Sequence, residues 1–447
     1  MSNLATSADV EQPAAGFRNP WLWSSLGVAP LLLVYLIPVW IAPDGWVSSG
    51  FIQYDQPYYV ATGRAVFERG NGLTGPNAYD PGPDAPCIYF HWFTWLIGFA
   101  VVLSGIDPGN VYVGLGLVMA ILFGRVTLAL VDHCCDGRGP VVPVYLLVMW
   151  GGGVTVLTAV LGNVLGGRAA LTDLMHYELF DGWWFPNWGR NLVMTTEATY
   201  HVLMALAWLM LFKRRWALCL LSIALIVTTH PYTGAQVLAI MSAWLGLNLL
   251  RPDWSGHDRV PWWFAIGLAG LGAAFGWYYF VFLHGFPEHV AIQERWNRGW
   301  AESPFQTLVA YLPVAALAVV RLRQDRPWSR PETAFLVTAA IVSFGLAHHH
   351  WFIQPHQPIH FTRGYVWLPL ALLAAPWLSE TLRWAQENQR RLNLVCGLAL
   401  LFCLDNIGWL WSTSRDIAAY IIPGELRGLY RQMDREQLRG TVLANHQ

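Results

Sequence analysis

Charge-poor apolar segments of membrane-spanning length recur along this chain. The first of them, residues 21–42, contains no charged side chain, and about 20 apolar residues are enough to cross the hydrocarbon core of a bilayer. Only 12% of the 447 residues are charged, whereas soluble domains carry about 25%. The sequence therefore predicts an all-α polytopic membrane protein. Its net charge of −1 argues against a strongly basic surface that binds nucleic acid.

The apolar runs predict eleven transmembrane helices and a short cytoplasmic N-terminus. The expected spans are roughly 21–42, 110–131, 141–162, 192–212, 216–229, 233–250, 261–284, 305–320, 333–347, 364–379 and 393–411. Basic loops of membrane proteins face the cytoplasm, and the basic clusters here are 213–215, 251–259, 321–330 and 383–391. All four face inward only if residues 88–104 are a half-helix in the outer leaflet. We therefore expect a multi-pass protein of the inner (plasma) membrane.

This orientation places most of the unusual polar residues on the extracytoplasmic side. We expect residues 1–411 to form one transmembrane module and residues 412–447 a short outer tail. The outer segments of the module are 43–109, 163–191, 285–304 and 348–363. Residues 216–229 and 233–250 form a short apolar pair joined by "THPYTG". This pair predicts either a broken helix that lines a cavity or a simple structural turn.

The first outer loop contains a predicted amphipathic helix that begins beside Asp55. Pro57 suits the first turn of a helix, and "GNG" at 70–72 is a typical helix stop. Asp55 is therefore either a helix cap or a functional carboxylate. The further candidates for a binding cleft in this loop are Tyr58, Tyr59 and His91.

The order of features over residues 20–131 resembles the first periplasmic loop of the GT-C membrane glycosyltransferases. That order is a first span, an Asp a few residues beyond it, a Tyr-rich amphipathic helix, the turn "GNGLTGPNAY", and a Pro–aromatic entry into a half-helix. The resemblance is to the protein O-mannosyltransferase-like and lipid A aminoarabinose transferase-like families. It implies a GT-C-like fold of about eleven transmembrane helices, with amphipathic outer-leaflet helices in the first loop.

The same resemblance implies a reaction and a base. In such enzymes the Asp after the first span is the general base toward the acceptor hydroxyl, and Asp55 falls at that place. Oligosaccharyltransferases of this fold carry a paired Asp-x-Asp for a divalent metal and a Trp-Trp-Asp motif, and this chain has neither. We therefore expect a monophosphate-linked donor, no metal site and no cofactor.

A segment rich in histidine precedes one of the last spans. Five of the 14 histidines lie within 348–360, and Arg363 follows. A leaving polyprenyl phosphate needs cationic or hydrogen-bond donors, so the predicted phosphate-binding residues are Arg363, His360 and His356. The alternatives are an arginine that snorkels to headgroups and, for His348–His350, wet histidines at a helix end. Zinc is disfavoured because Pro355 and Pro358 disrupt the helical spacing of His356 and His360.

Further acceptor or cleft candidates come from the second outer loop and from polar residues near span ends. They are Glu178, Asp181, Trp184, Glu197 and His230. Glu197 and His230 lie near the membrane, where a charged or polar group usually faces a cavity.

The sequence predicts a transferase that moves a sugar from a polyprenyl-phosphate donor to a lipid, glycan or protein acceptor, with inversion and Asp55 as the base. The expected partners are the donor lipid, the acceptor and the surrounding membrane lipid. Two alternatives stay open. An O-antigen-ligase-like transferase would use a diphosphate donor, and a secondary transporter would also explain the polar residues near the membrane.

Overall fold

The structure is a computed structural model of the chain. It describes residues 19–48, 56–68, 70, 72–77, 79–80, 82, 85–137, 139–155, 161, 164–167, 186–250, 260–296, 301, 304–324, 330–415 and 421–436.

Within these residues the architecture is helical with two small β-ladders. The helices are α1 (Pro20–Ile41), α2 (Gln56–Glu68), α3 (Trp92–Ser104), α4 (Pro108–Cys135), α5 (Val141–Trp150), α6 (Thr195–Phe212), α7 (Trp216–Val227), α8 (Pro231–Leu250), α9 (Trp262–Trp277), α10 (Pro287–Trp296), α11 (Pro304–Gln324), α12 (Pro331–Ala347), α13 (Trp367–Gln386), α14 (Gln389–Arg415) and α15 (Gly424–Arg435). The strands are β1 (Trp46–Ser48), β2 (Thr74–Pro76), β3 (Cys87–Phe90) and β4 (Ile421–Pro423).

Several helices have the length and composition of membrane spans. In the described part of the chain, five helical segments meet this criterion: Pro20–Ile37, Pro108–Cys135, Pro231–Leu250, Trp262–Gly285 and Gln389–Trp411. The expectation of a helical, membrane-spanning chain is met at this level, while the count of eleven spans remains a prediction. Short apolar helices such as α7 and α12 lie in the places predicted for further spans.

The first outer loop contains the two helices that its sequence predicts. α2 begins at Gln56 and ends at Glu68, just before the predicted glycine stop. It packs tightly on α3, because a Cβ at Gly98 would lie 2.0 Å from the carbonyl oxygen of Gly63. The predicted start of the half-helix at residue 88 was wrong, because α3 begins at Trp92. Residues 88–90 belong to β3, which pairs antiparallel with β2.

The short apolar pair forms two separate helices joined by a turn. α7 ends at Val227, and α8 begins at Pro231, where a missing N–H costs no hydrogen bond. The two helices pack against each other, so the turn alternative is correct for these residues. The turn carries His230 to the start of α8.

α6 and α13 form the centre of the bundle. α6 packs between α4 and α7, and 15 of its 18 residues are buried, as expected for a helix that is covered on every side. α13 packs against α11, α12 and α14. The apolar core is continuous and includes Trp188, Trp208, Trp367 and Trp409, each fully buried.

The C-terminal part of the chain is tied to the first outer loop. β4 pairs antiparallel with β1, with Val47 opposite Ile422, and α14 continues as far as Arg415. The predicted boundary after residue 411 is therefore not an element boundary. Residues 437–447 lie outside the described part.

Candidate functional site

A buried polar cluster forms where the start of α6, the start of α8 and the segment before α13 meet. That segment contains two 3₁₀ turns, His349–Trp351 and Pro358–Phe361, and Arg363 follows the second. Gly364 has a φ of +74°, and a Cβ there would lie 3.0 Å from the Trp188 ring. Only glycine fits this backbone without strain, so Gly364 fixes the direction in which Arg363 enters the bundle.

Arg363 is the centre of this cluster. Its guanidinium donates to the carboxylate of Glu197, to the hydroxyl of Tyr200 at 2.5 Å, and to Nδ1 of His360. The side chains of Arg363 and Glu197 are each 5% exposed. A buried charge is tolerated when it is paired and hydrogen-bonded, and the Glu197 carboxylate supplies that pairing. Arg363 is therefore a fixed buried cation and does not snorkel to the surface.

His360 is neutral in this arrangement. An arginine N–H can only donate, so Nδ1 of His360 must accept, and the ring proton lies on Nε2. Desolvation by burial, followed by the nearby His356, lowers the pKa of His360 to about 3, which agrees with the hydrogen bonding. His360 orients the guanidinium of Arg363. The sequence predicted His360 only as a residue that binds the phosphate, and this orienting role was not part of that prediction.

His201 ties the backbone of Arg363 to α6. Its Nε2 lies 2.7 Å from the carbonyl oxygen of Arg363, and its Nδ1 lies 2.6 Å from the carbonyl oxygen of Glu197. The ring is fully buried and stacks on Tyr365 at 4.8 Å between centroids. His201 thus connects both members of the ion pair through their main chains.

The carboxylate of Glu197 is only partly satisfied. Its Oε1 accepts from Arg363. Its Oε2 is buried and makes no hydrogen bond within the described residues, and it lies 3.9 Å from Nδ1 of His201. Buried polar atoms normally have a partner, so this oxygen is a point at which a further donor can be accommodated.

Aromatic rings surround the ion pair. Tyr200 stacks on His230 at 4.7 Å and Tyr232 stacks on His360 at 4.4 Å. His230 also hydrogen-bonds to Thr233 at 3.0 Å. The start of α8 therefore forms a wall of the cluster. His230 lies in this wall and also accepts a hydrogen bond from the backbone N–H of Thr233 at 3.2 Å, as a helix cap does.

The first outer loop is attached to the same cluster. The side-chain oxygen of Gln56, the first residue of α2, accepts from Thr196 at 3.0 Å and from the hydroxyl of Tyr112. Thr196 directly precedes Glu197. The start of α2 is therefore held beside the ion pair.

The remaining predicted residues divide into three groups. Tyr59 and His91 lie together in the first loop, with ring centroids 5.2 Å apart, and Tyr58 is half-buried beside Tyr59. His356 is exposed at the rim, 5.9 Å from the Tyr232 ring. The candidates outside the described residues are Asp55, Glu178, Asp181 and Trp184.

Two expectations about histidines need correction or refinement. His348 and His349 are not wet residues at a helix end, because they are 1% and 9% exposed. His348 hydrogen-bonds to Thr307 at 2.9 Å, and burial followed by His350 lowers its pKa to about 4. His91 caps α3, and burial lowers its pKa to about 4. The rings of His91 and His348 are therefore neutral near pH 7, and each hydrogen-bonds within the protein.

Metal-ligating groups do not cluster in the described part of the chain. No set of three or more His, Cys, Asp or Glu side chains there is arranged to hold an ion. His356 precedes the 3₁₀ turn Pro358–Phe361 and His360 lies within it, and the Nδ1 of His360 already accepts from Arg363.

The sequence reasoning missed Tyr200, His201 and Thr196, which all lie in or at the start of α6. A signal was present, since "TTEATYH" (195–201) places polar residues in an otherwise apolar run. Residues four apart share a helix face, and Thr196 and Tyr200 lie on one such face. Their contacts with Gln56 and Arg363 could not be derived, because these two residues are more than 100 positions away in the chain.

The comparisons with known proteins include a distant structural similarity. No family model and no curated protein sequence matches the chain. Among solved structures, an oligosaccharyltransferase from Archaeoglobus fulgidus, tethered to an acceptor peptide containing the NVT sequon, has a TM-score of 0.43 and 13% identity. The match covers 89% of this chain and 56% of that one, so this chain spans little more than half the length of that protein.

Proposed function

We propose that the chain is a membrane glycosyltransferase of the GT-C type. It moves a sugar from a polyprenyl-phosphate carrier to a lipid, glycan or protein acceptor on the outer side of the inner membrane. The observation that carries the proposal is the buried Arg363. Its guanidinium is oriented by Glu197, Tyr200 and His360, and the first outer loop is held nearby by the hydrogen bond between Gln56 and Thr196. A preorganised cation in a dry site is well suited to stabilise an anionic leaving group.

The reaction is a single in-line displacement. Asp55 removes the proton from the acceptor hydroxyl, and the resulting oxygen attacks the anomeric carbon. The bond between this carbon and the phosphate oxygen breaks, and polyprenyl phosphate leaves with the electron pair. Arg363 stabilises the charge that develops on the phosphate. Support for Asp55 comes from its chain neighbour Gln56, which hydrogen-bonds to the residue before Glu197.

Glu197 acts as the counter-ion of Arg363 in the resting protein. A guanidinium has five N–H donors in a planar fork, so a phosphate shares it with the Glu197 carboxylate. His360 keeps the fork in position because it accepts one of these N–H groups. His356, at the exposed rim, is proposed to meet the phosphate from the water-filled side.

The acceptor cleft is proposed to lie between the first two outer loops and the start of α8. Its candidate residues are Tyr58, Tyr59, His91, Glu178, Asp181, Trp184 and His230. The reaction needs neither a metal nor an organic cofactor, since the leaving monophosphate is neutralised by protein side chains.

The test uses purified protein and a panel of synthetic short-chain polyprenyl-phosphate hexoses and pentoses. Release of polyprenyl phosphate is measured by mass spectrometry, with and without EDTA. We expect release from at least one monophosphate donor, with or without EDTA, and none from the matched diphosphate donors. Turnover restricted to diphosphate donors would instead indicate the ligase-like alternative. Activity that EDTA removes and magnesium, manganese or zinc restores would show that a metal is required.

Secondary transport is the second candidate, because a buried ion pair such as Glu197–Arg363 also occurs on ion and substrate pathways through membranes. Proteoliposomes loaded with the same sugars distinguish the two. Chemical conversion of the donor at a rate above that of empty liposomes is inconsistent with a transport-only role.

A further inference from the structure

A polar cavity lies at the opposite end of the bundle from Arg363. Its volume is about 280 Å³, close to the lower limit of the about 300–1,000 Å³ that is usual for small-molecule sites. α12 starts at this cavity with Glu332 and ends near the histidine segment with Ala347. At about 1.5 Å per residue, its 17 residues separate the two sites by about 25 Å. The cavity is therefore distinct from the candidate active site.

The cavity lies in the groove between α11 and α12. α13 packs against both of these helices and lies between them, and the end of α4 closes the groove from a further side. The apolar part of the wall includes Leu322, Leu336, Leu372, Leu373 and Pro376. The lining therefore combines apolar and charged side chains, which is the combination that an amphiphile requires.

The polar part of the wall carries both signs of charge. Arg321 lines the cavity and is only 6% exposed. Arg330 lies 3.1 Å from Asp136, and His133 lies 3.5 Å from Glu332. These lining residues comprise two arginines and two carboxylates. Such a balance favours a ligand that carries a cation as well as an anion, since a purely anionic ligand would meet both carboxylates.

We propose that this cavity binds the headgroup of a phospholipid that carries a phosphate and a primary ammonium, as phosphatidylethanolamine does. The phosphate binds Arg321, and the ammonium binds the carboxylates of Glu332 and Asp136. The acyl chains lie on the adjoining apolar surface, where Val319 and Val320 directly precede Arg321 and are exposed. The predicted orientation places this end of the bundle in the cytoplasmic leaflet, so the bilayer itself is the source of the ligand.

The first experiment measures the dissociation constants of short-chain phosphatidylethanolamine and phosphatidylglycerol for the purified protein by native mass spectrometry. Phosphatidylethanolamine is expected to bind more tightly than phosphatidylglycerol. Arg321→Gln is expected to weaken phosphatidylethanolamine about tenfold, because a hydrogen bond to a charged group is lost. The matched control is Arg323→Gln in the same last turn of α11, which is exposed and does not line the cavity, and it should leave binding unchanged.

A second variant covers the case in which Arg321→Gln does not fold. Glu332→Gln is expected to weaken phosphatidylethanolamine about fivefold and to leave phosphatidylglycerol unchanged. Three results would overturn the proposal: equal affinity for both lipids in the wild type, binding that is insensitive to Glu332→Gln, or water-soluble glycerophosphoethanolamine binding as tightly as the lipid. The last result would mean that the ligand is a soluble metabolite rather than a membrane lipid.

Discussion

The hydroxyl of Thr196 donates a 3.0 Å hydrogen bond to the side-chain oxygen of Gln56. This bond joins the first residue of α2 to the first turn of α6, although 140 residues separate the two in the chain. Asp55 precedes Gln56, and Glu197 follows Thr196. The proposed base and the counter-ion of Arg363 are therefore the chain neighbours of two residues in direct contact.

Asp55→Asn tests the proposed base. The amide keeps the shape and the capping ability of the carboxylate but cannot take a proton. We expect loss of transfer by at least about 100-fold, with the thermal unfolding midpoint nearly unchanged. The matched control is Asp44→Asn in the same loop, where the side chain is exposed, and it should retain full activity. Retention of more than about a tenth of the wild-type rate by Asp55→Asn would refute the assignment.

Glu197→Gln tests the ion pair. It removes the charge that compensates the buried Arg363, and loss of one partner of a buried pair typically costs about 3–5 kcal/mol. The free energy of unfolding in detergent should fall by about 3 kcal/mol. Glu387→Gln is the control, since its pair with Arg391 is exposed and should contribute less than about 1 kcal/mol. Equal stability of the two variants would show that Glu197 does not stabilise Arg363.

Gly364→Ala tests how the backbone aims Arg363. A residue with a Cβ at a φ of +74° is strained, by about 1–2 kcal/mol, and here the new methyl group would also press on Trp188. We expect a modest loss of stability together with a large loss of donor turnover. Gly345→Ala is the control, because a Cβ at Gly345 meets no atom within 4 Å. Unchanged turnover in Gly364→Ala would mean that the position of Arg363 does not depend on this glycine.

The pH dependence of stability should report the neutral state of His360. Its pKa is about 3 in the folded protein, below the ordinary value of 6.5, so the unfolded chain binds the extra proton first. The contribution of neutral His360 to the free energy of unfolding is therefore complete above pH 6.5. This contribution is lost as pH falls from 6.5 toward 3, by up to about 1.4 kcal/mol per pH unit.

His360→Asn keeps a hydrogen-bond acceptor for Arg363 but cannot be protonated. The slope of the free energy of unfolding against pH, measured between pH 4 and 6.5, should therefore be shallower than in the wild type. His91 and His348 also have pKa values of about 4, so a residual slope should remain. An unaltered slope would indicate that His360 is protonated in the folded protein.

Local features of the fold could be predicted from the sequence. Pro57 and the glycines at 70 and 72 mark the start and stop of α2 because their backbone preferences act within a few residues. Apolar runs of membrane-spanning length located α1, α4, α8, α9 and α14, because this signal also lies within one segment of the chain. The strand Cys87–Phe90 was missed, because its apolar residues continue into α3 and only pairing with β2 distinguishes them.

The candidate site could be predicted only in part. Arg363 and His360 are three residues apart, so the sequence indicated that they act together. Glu197 was identified as a charge near the membrane, but its pairing with Arg363 spans 166 positions and depends on the packing of the bundle. The roles of Tyr200 and His201 depend on this same packing. Opposite charges near predicted spans are nevertheless a signal for such pairs, since an unpaired charge in the membrane is costly.

The central claim is that Arg363 stabilises the phosphate that leaves the sugar donor. The most direct measurement is single-turnover release of polyprenyl phosphate by the wild type and by Arg363→Lys, which keeps the charge opposite Glu197 but loses the planar fork. We predict a slower release step in the variant by about 100-fold, with the unfolding midpoint retained. Equal release rates in the two proteins, or no release by the wild type from any monophosphate donor, would contradict the account.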